Sequence, residues 1–292
     1  MTAEPLRPAV IGSALLALVA FAGNSILCRG ALGTSVIDAA PFTWLRLTAG
    51  AAVLALILRG RTGSEAPPAP VPVGAGPWAG GVALLVYAAA FSFAYLRLAA
   101  GTGALVLFAA TQVTMIVGGV WSGERPRRGE WGGIALALGG LVALTRPGTT
   151  APDPGGVLLM AGAGVAWGAY SLLGRSNRDP IAVNAAAFRR ASLLSIALLL
   201  LPTAGRAVHS RGAVLAIVSG ALASGLGYCL WYQALPHLTR TRAAAIQLSV
   251  PVLTAVLGVA FLGEVITARL VASGAVILGG IALVLRAHSS SR

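Results

Sequence analysis

The chain has 292 residues, of which only 10% are charged and 57% hydrophobic, with a mean hydropathy of +0.84. A soluble domain carries roughly 25% charged residues, so this composition points to a chain that spans a membrane several times. The formal net charge of +13 comes entirely from arginine, set in short stretches between apolar runs; it reads as topology control and contact with anionic lipid rather than nucleic-acid binding.

Ten apolar spans are expected, at about 9–27, 39–58, 76–96, 101–121, 130–145, 155–174, 182–201, 213–234, 241–262 and 268–286. Most reach the ~20 residues that a helix needs to cross the hydrocarbon. The fifth is short. The period-two alternation of β-barrel strands is absent. Near the start, Arg7, an apolar run and Ala20-Phe21-Ala22 resemble a signal peptide with its cleavage site. Retention is the expectation, because this segment has a partner later on. Val19–Arg29 aligns with Val165–Arg175, with Val19, Ala20, Ser25, Leu27 and Arg29 identical to their counterparts. The Pro-, Ala- and Gly-rich stretch 59–77 reads as an extramembrane loop.

The clearest internal repeat joins spans four and five to spans nine and ten, at an offset of 140 residues. Ala104, Thr114, Gly118, Gly123, Glu124, Ala135, Leu138, Gly139 and Gly140 match Ala244, Thr254, Gly258, Gly263, Glu264, Ala275, Leu278, Gly279 and Gly280. With only 8 acidic residues in the chain, two Gly-Glu junctions at the same place carry weight that matched Gly and Ala do not. The expected fold is all-α and membrane-embedded: ten transmembrane helices as two inverted five-helix repeats, residues 1–147 and 148–292. Five is odd, so the second copy enters from the opposite face, as in many secondary transporters. With a cytoplasmic N-terminus, 12 arginines fall inside and 6 outside, with three left in the spans. Both termini are therefore expected in the cytoplasm, in the plasma membrane.

These features resemble the EamA family of the drug/metabolite transporter superfamily. The resemblance rests on Gly-Glu after the fourth span of each copy and the Gly-rich fifth spans. It also rests on the run Pro41-Phe42-Thr43-Trp44-Leu45-Arg46 in span two, and on Tyr95-Leu96-Arg97-Leu98 with Tyr232-Gln233-Ala234-Leu235 closing spans three and eight. Phe188-Arg189-Arg190 holds the matching place in copy two, without the proline. The resemblance implies export or exchange of small metabolites, often amino acids, through a central cavity between the halves.

Several residues are candidates for that cavity. Asn24 aligns with Tyr170 and Phe21 with Trp167; within each pair the two residues are three apart and share a helix face. Gln112 and Gln247 are amides in apolar spans, and an amide there needs a partner in another helix or a substrate. Tyr87, Tyr95, Tyr228, Trp231 and Tyr232 lie on spans three and eight. Each of these residues reads equally as glue between helices. Arg46, about seven residues or ~10 Å into its helix, reads as an attractor of an anionic or zwitterionic substrate, or as a snorkelling or carbonyl-bonded cation. Arg189 and Arg190 point about 100° apart and are not expected to share a role.

Glu124 and Glu264 read as junction residues that cap a helix or pair with a neighbouring arginine, in preference to coupling acids. No carboxylate lies inside a span, which favours facilitated or exchange transport. Trp44, Trp78, Trp121 and Trp131 suit an interfacial belt, whereas Trp167 is too deep for one. Ala135/Gly139 and Ala275/Gly279 are expected to let helices approach closely, and Pro251 to kink the ninth span. Cys28 and Cys229 form no CxxC, and His209, His237 and His288 are scattered, so the sequence suggests no metal, no cofactor and no enzyme. The expected partners are a small-molecule substrate and the lipid bilayer, not nucleic acid; a homo-oligomer is compatible with the pattern.

Overall fold

A computed structural model describes residues 8–61, 78–121, 128–174, 179–202, 207–234, 237 and 246–289. Ten helices are named among them. They are α1 (Pro8–Leu32), α2 (Ala39–Gly60), α3 (Ala79–Tyr95), α4 (Ala100–Trp121), α5 (Arg128–Thr145), α6 (Pro154–Gly174), α7 (Pro180–Ser195, running on as a 3-10 turn to Leu200), α8, α9 (Ser249–Leu262) and α10 (Ala268–Ser289). The helix α8 has three parts: α-helical Ser210–Val218, π-helical Ser219–Leu226 and α-helical Gly227–Ala234. Among the described residues six stretches are long and apolar enough to cross a membrane, and four shorter helices are also apolar. The only extended pairing among the described residues is the bridge between Ile37 and Val208.

The helix starts follow from local chemistry. Asp179 accepts from the backbone N–H groups of Ile181 and Ala182, with Pro180 at the first helical position, and so begins α7. Asp153 accepts from Gly156 N at 2.7 Å to begin α6, and Thr267 accepts from Leu270 N at 3.1 Å to begin α10. Gly263 ends α9 at φ 64°, a conformation that glycine adopts without cost. Pro251 sits three residues into α9, where its missing N–H has no helical partner to lose. Ile246 and Gln247 are helical and Leu248 is a turn, so the expected kink takes the form of a break just ahead of α9. Ser249 donates its hydroxyl to the Ile246 carbonyl at 2.6 Å across that break.

α5 lies along α10 and α2 along α7. α6 packs on α3 and α4, as α1 packs on α8 and α9; α3 meets α7 as α2 meets α8; and α4 meets α9. Exchanging each helix for the one five places along maps this set of contacts onto itself.

The small residues at the α5–α10 interface differ from those expected. Ala135, Gly139, Ala275 and Gly279 are exposed on the outer surface. The interface uses Gly133, Ala137 and Gly140 against Ile277, Gly280 and Val284, and a Cβ at Gly280 would stand 2.6 Å from the Gly133 carbonyl oxygen. The two sets lie on roughly opposite faces of their helices, about 150° apart at 100° per residue. A closer approach joins α2 to the π segment, where Gly220 lies directly on the Arg46 backbone. A Cβ there would come within 2.8 Å of the Arg46 carbonyl carbon.

Gly220→Ala is expected to destabilise the protein by about 1–3 kcal/mol through overpacking against backbone that cannot yield. Gly279→Ala, with nothing within 4 Å of the added methyl, is expected to be neutral or slightly stabilising. Thermal unfolding of the two variants in detergent, side by side with the parent, reads the contrast.

Candidate functional site

Polar and aromatic side chains from six helices converge inside the bundle. Asn24 on α1 is 5% exposed and links two other helices: its amide nitrogen donates to the Tyr87 hydroxyl of α3 at 3.5 Å, and its carbonyl oxygen accepts from Ser219 of α8 at 2.6 Å. Arg46 on α2 is 1% exposed, and its Nη2 donates to the same Tyr87 hydroxyl at 3.1 Å. Its guanidinium lies over the rings of Phe91 at 4.8 Å and Tyr87 at 5.3 Å. Cation–π contact of this kind is worth more where water is excluded. Arg46 Nε and Nη1 have no hydrogen-bond partner among the described residues.

Trp167 on α6 is the aromatic hub. Its ring centroid lies 4.9 Å from Tyr87, 5.1 Å from Tyr228 of α8 and 5.5 Å from Tyr170. Tyr228 is in turn 5.7 Å from Phe188 of α7 and 5.9 Å from Phe21 of α1, and Phe21 is 6.0 Å from Trp231. The Tyr170 hydroxyl donates to the Asn184 carbonyl oxygen of α7. Ring pairs at these spacings hold one another's orientation.

Of the residues singled out in the sequence, Phe21, Asn24, Arg46, Tyr87, Trp167, Tyr170, Tyr228 and Trp231 meet here. Tyr95 stands at the corner between α3 and α4: its ring packs edge-on to Phe91 at 4.7 Å and its hydroxyl donates to the Ala100 carbonyl at 3.3 Å. Gln112 is buried on α4 and Gln247 half-buried ahead of α9, and no hydrogen bond among the described residues joins either to the cluster. The Tyr232 side chain and all of Glu124 lie outside the described residues. Arg46 is no snorkelling cation, because it is buried and bonds a hydroxyl in the interior. Arg190 lies over the Trp78 ring at 5.7 Å and Arg189 is exposed, so the two diverge as helical phase requires.

Asn184, Phe91 and Ser219 were not singled out, and Phe188 was quoted only in the run that matches span two. Asn184 meets the same criterion as Gln112, an amide in an apolar span, and that signal finds it. Nothing in the sequence marks Ser219, whose position depends on the π segment that carries it. π segments recur at functional sites, where they re-aim side chains.

Glu264 is a junction residue, and its partners lie far away in the chain, on α1 and at the start of α4. Both of its carboxylate oxygens accept from Ala100 N, at 2.8 and 3.0 Å, at the start of α4, and it pairs with Arg29 of α1 at 3.4 Å. Arg29 also donates to the Tyr95 carbonyl at 2.9 Å. One carboxylate thereby ties the α9–α10 junction to the end of α1 and the start of α4. A carboxylate at a helix N-terminus satisfies orphan donors and complements the helix dipole.

The fold and this buried cluster define a multi-pass membrane protein. The model of the EamA-like transporter family matches residues 154–286. An uncharacterized protein of Pseudomonas aeruginosa is 52% identical over 272 residues, covering 93% of this chain and 92% of that one. The uncharacterized transporter YwfM of Bacillus subtilis is 28% identical over 148 residues, 49% of this chain and 50% of that one. An uncharacterized transporter of Archaeoglobus fulgidus is 25% identical over 209 residues, covering 69% and 73%. A solved crystal structure superposes with a TM-score of 0.66 at 22% identity, over 93% of this chain and 97% of that one, and so shares the fold. The chain belongs to the EamA-like transporter family.

Glu264→Ala is expected to lower stability by about 1–2 kcal/mol through loss of the cap and the ion pair. Glu264→Gln, which keeps an acceptor for Ala100 N, is expected to lose less than half of that. Unfolding midpoints of the three proteins in one detergent check the order.

Proposed function

We propose that the protein is a secondary-type transporter that exports or exchanges small metabolites, such as amino acids, by alternating access. Its working architecture is ten transmembrane helices in two inverted five-helix repeats, residues 1–147 and 148–292. The substrate site lies in the central cavity between them. The exchange of contacts between helices five places apart supports the repeat, and an inverted pair is the usual frame for a midplane site. The protein sits in the plasma membrane with both termini in the cytoplasm, as the arginine distribution favours.

The observation that carries this reading is the Asn24 amide. It is buried, and it bonds α3 of its own half and α8 of the other. Polar groups from both halves thus meet where lipid-embedded helices have least reason to keep them. Asn24, Arg46, Tyr87, Trp167 and Tyr170 form the site on this reading. Gln112, Gln247, Tyr95 and Tyr232 belong to the lining of the path. A drug or nucleotide-sugar carrier of the same superfamily is the second reading. A nucleotide diphosphate would require several cations at the site, whereas Arg46 is the one arginine in the cluster, with Arg189 exposed and Arg190 on Trp78. A membrane-embedded enzyme or receptor is the remaining, weaker class. Among the described residues the one carboxylate inside a helix, Glu130, lies in the first turn of α5, and acids confined to the ends of spans favour exchange or facilitated movement over proton coupling.

Proteoliposomes holding the protein are expected to take up at least one amino acid or comparable metabolite in counterflow, above empty vesicles. Trp167→Ala and Asn24→Ala are each expected to cut that flux about tenfold or more while inserting into membranes normally. Full flux in both variants would remove the cluster from the transport path. An inward proton current in step with flux would overturn the exchange mode.

A further inference from the structure

Arg46 is a buried cation that lacks an anion among the described residues. Three ion pairs are present among the described residues: Arg29 with Glu264, Arg61 with Asp179 and Arg97 with Asp153. None involves Arg46. The ionisable groups within electrostatic reach of it are Tyr87, Tyr228 and Cys28, none of them a carboxylate. Removing a guanidinium from water is costly unless it is paired and fully hydrogen-bonded. Here one nitrogen bonds the Tyr87 hydroxyl, and the ring faces of Tyr87 and Phe91 offset part of the cost. Nε and Nη1 are left with no acceptor. Between them these two nitrogens carry three N–H donors that cannot be deprotonated away.

The surroundings limit what can fill that place. The cluster offers a single positive charge, so a monoanion balances it and a dianion does not. The Tyr87 ring against the guanidinium packs on Trp167, and Trp167 on Tyr228, a run of apolar surface suited to a carbon body and not to a hydrated inorganic ion. Planar carboxylates match the donor geometry of guanidinium better than any other common monoanion.

We propose that Arg46 is the anion subsite of this transporter and holds the carboxylate of a small organic solute, monocarboxylate or amino acid, whose carbon body lies against the Trp167 and Tyr228 rings. The proposal rests on the transport reading above and adds the substrate class. Tyr87 acts as a positioning residue. Its hydroxyl holds the guanidinium and accepts from Asn24, so one oxygen links the cation to the polar bridge between the halves.

The test uses the full chain, purified in detergent and, in parallel, in proteoliposomes. The probes are monocarboxylates from acetate to hexanoate and the common L-amino acids, each beside its primary amide, with sodium chloride as the inorganic arm. Thermal-shift titration reads binding and counterflow reads transport. Carboxylates are expected to bind and exchange, and their amides and chloride are not. Arg46→Gln is expected to weaken carboxylate binding about 10- to 100-fold, with Arg46→Lys between. Tyr87→Phe, which keeps the ring, is expected to weaken carboxylates several-fold without creating affinity for amides. These two variants decide the matter if the glutamine variant fails to fold. Amides that bind and move as well as their acids, or an Arg46→Gln protein equal to the parent, would overturn the subsite while leaving the transporter standing. Binding of chloride alone would overturn the carboxylate assignment. Carboxylates that bind at Arg46 but never cross would overturn the transport reading and leave the subsite. No binding and no flux across the whole panel would overturn both.

Discussion

The structure depends on keeping one guanidinium out of water without giving it a carboxylate. Arg46 is held by a hydroxyl and two ring faces, and each of those groups is itself held in place. Tyr87 is fixed by Asn24, and Asn24 by Ser219; Trp167 braces the Tyr87 ring, and Tyr228 and Tyr170 brace Trp167. A carboxylate at any of these positions would have satisfied the cation more cheaply. The aromatic frame instead leaves the charge desolvated, with two of its nitrogens lacking an acceptor among the described residues.

Division of labour among the helices follows from this. Helices α1, α2, α3, α6, α7 and α8 supply every member of the cluster. Helices α4, α5, α9 and α10 serve as frame. α5 and α10 meet through glycines that let their backbones touch, and packing of that kind drives helix association where lipid is as apolar as the protein interior. Glu264 belongs to the frame as well, since its work is done on Ala100 and Arg29 at one end of the bundle.

How much of this could be read from the residues alone varies with the physics. Hydropathy located the spans, because length and apolarity are what a bilayer demands. Asn24, Arg46, Tyr87, Trp167 and Tyr170 stood out because polar or mixed side chains are expensive in hydrocarbon and so have a reason to be there. Asn184 answers to the same rule. Helix phase was less legible. A soluble helix shows its buried face by hydrophobic contrast, but a lipid-facing alanine and a packed alanine look alike, and so Ala135 and Gly139 stood in for Gly133, Ala137 and Gly140. The π segment was not legible at all, since its extra residue per turn is imposed by tertiary contact. With it went Ser219, the far end of the Asn24 bridge. The fourth-span amide Gln112 obeyed the rule for buried amides and still lies apart from the cluster, because one face of a helix in a bundle serves the site and the others serve its neighbours.

The meeting of Gly220 with the backbone of Arg46 has a mechanical meaning. Because no side chain intervenes, nothing compressible separates the π segment of α8 from the peptide that carries the arginine. Phe188 from α7 presses on Gly50 one turn further along α2, and the Gly220 carbonyl lies beside that glycine too. The strand of contacts works as a rigid gear tooth. A displacement of the π segment would carry the Cα of Arg46 with it, so the arginine of α2 takes its position from α8.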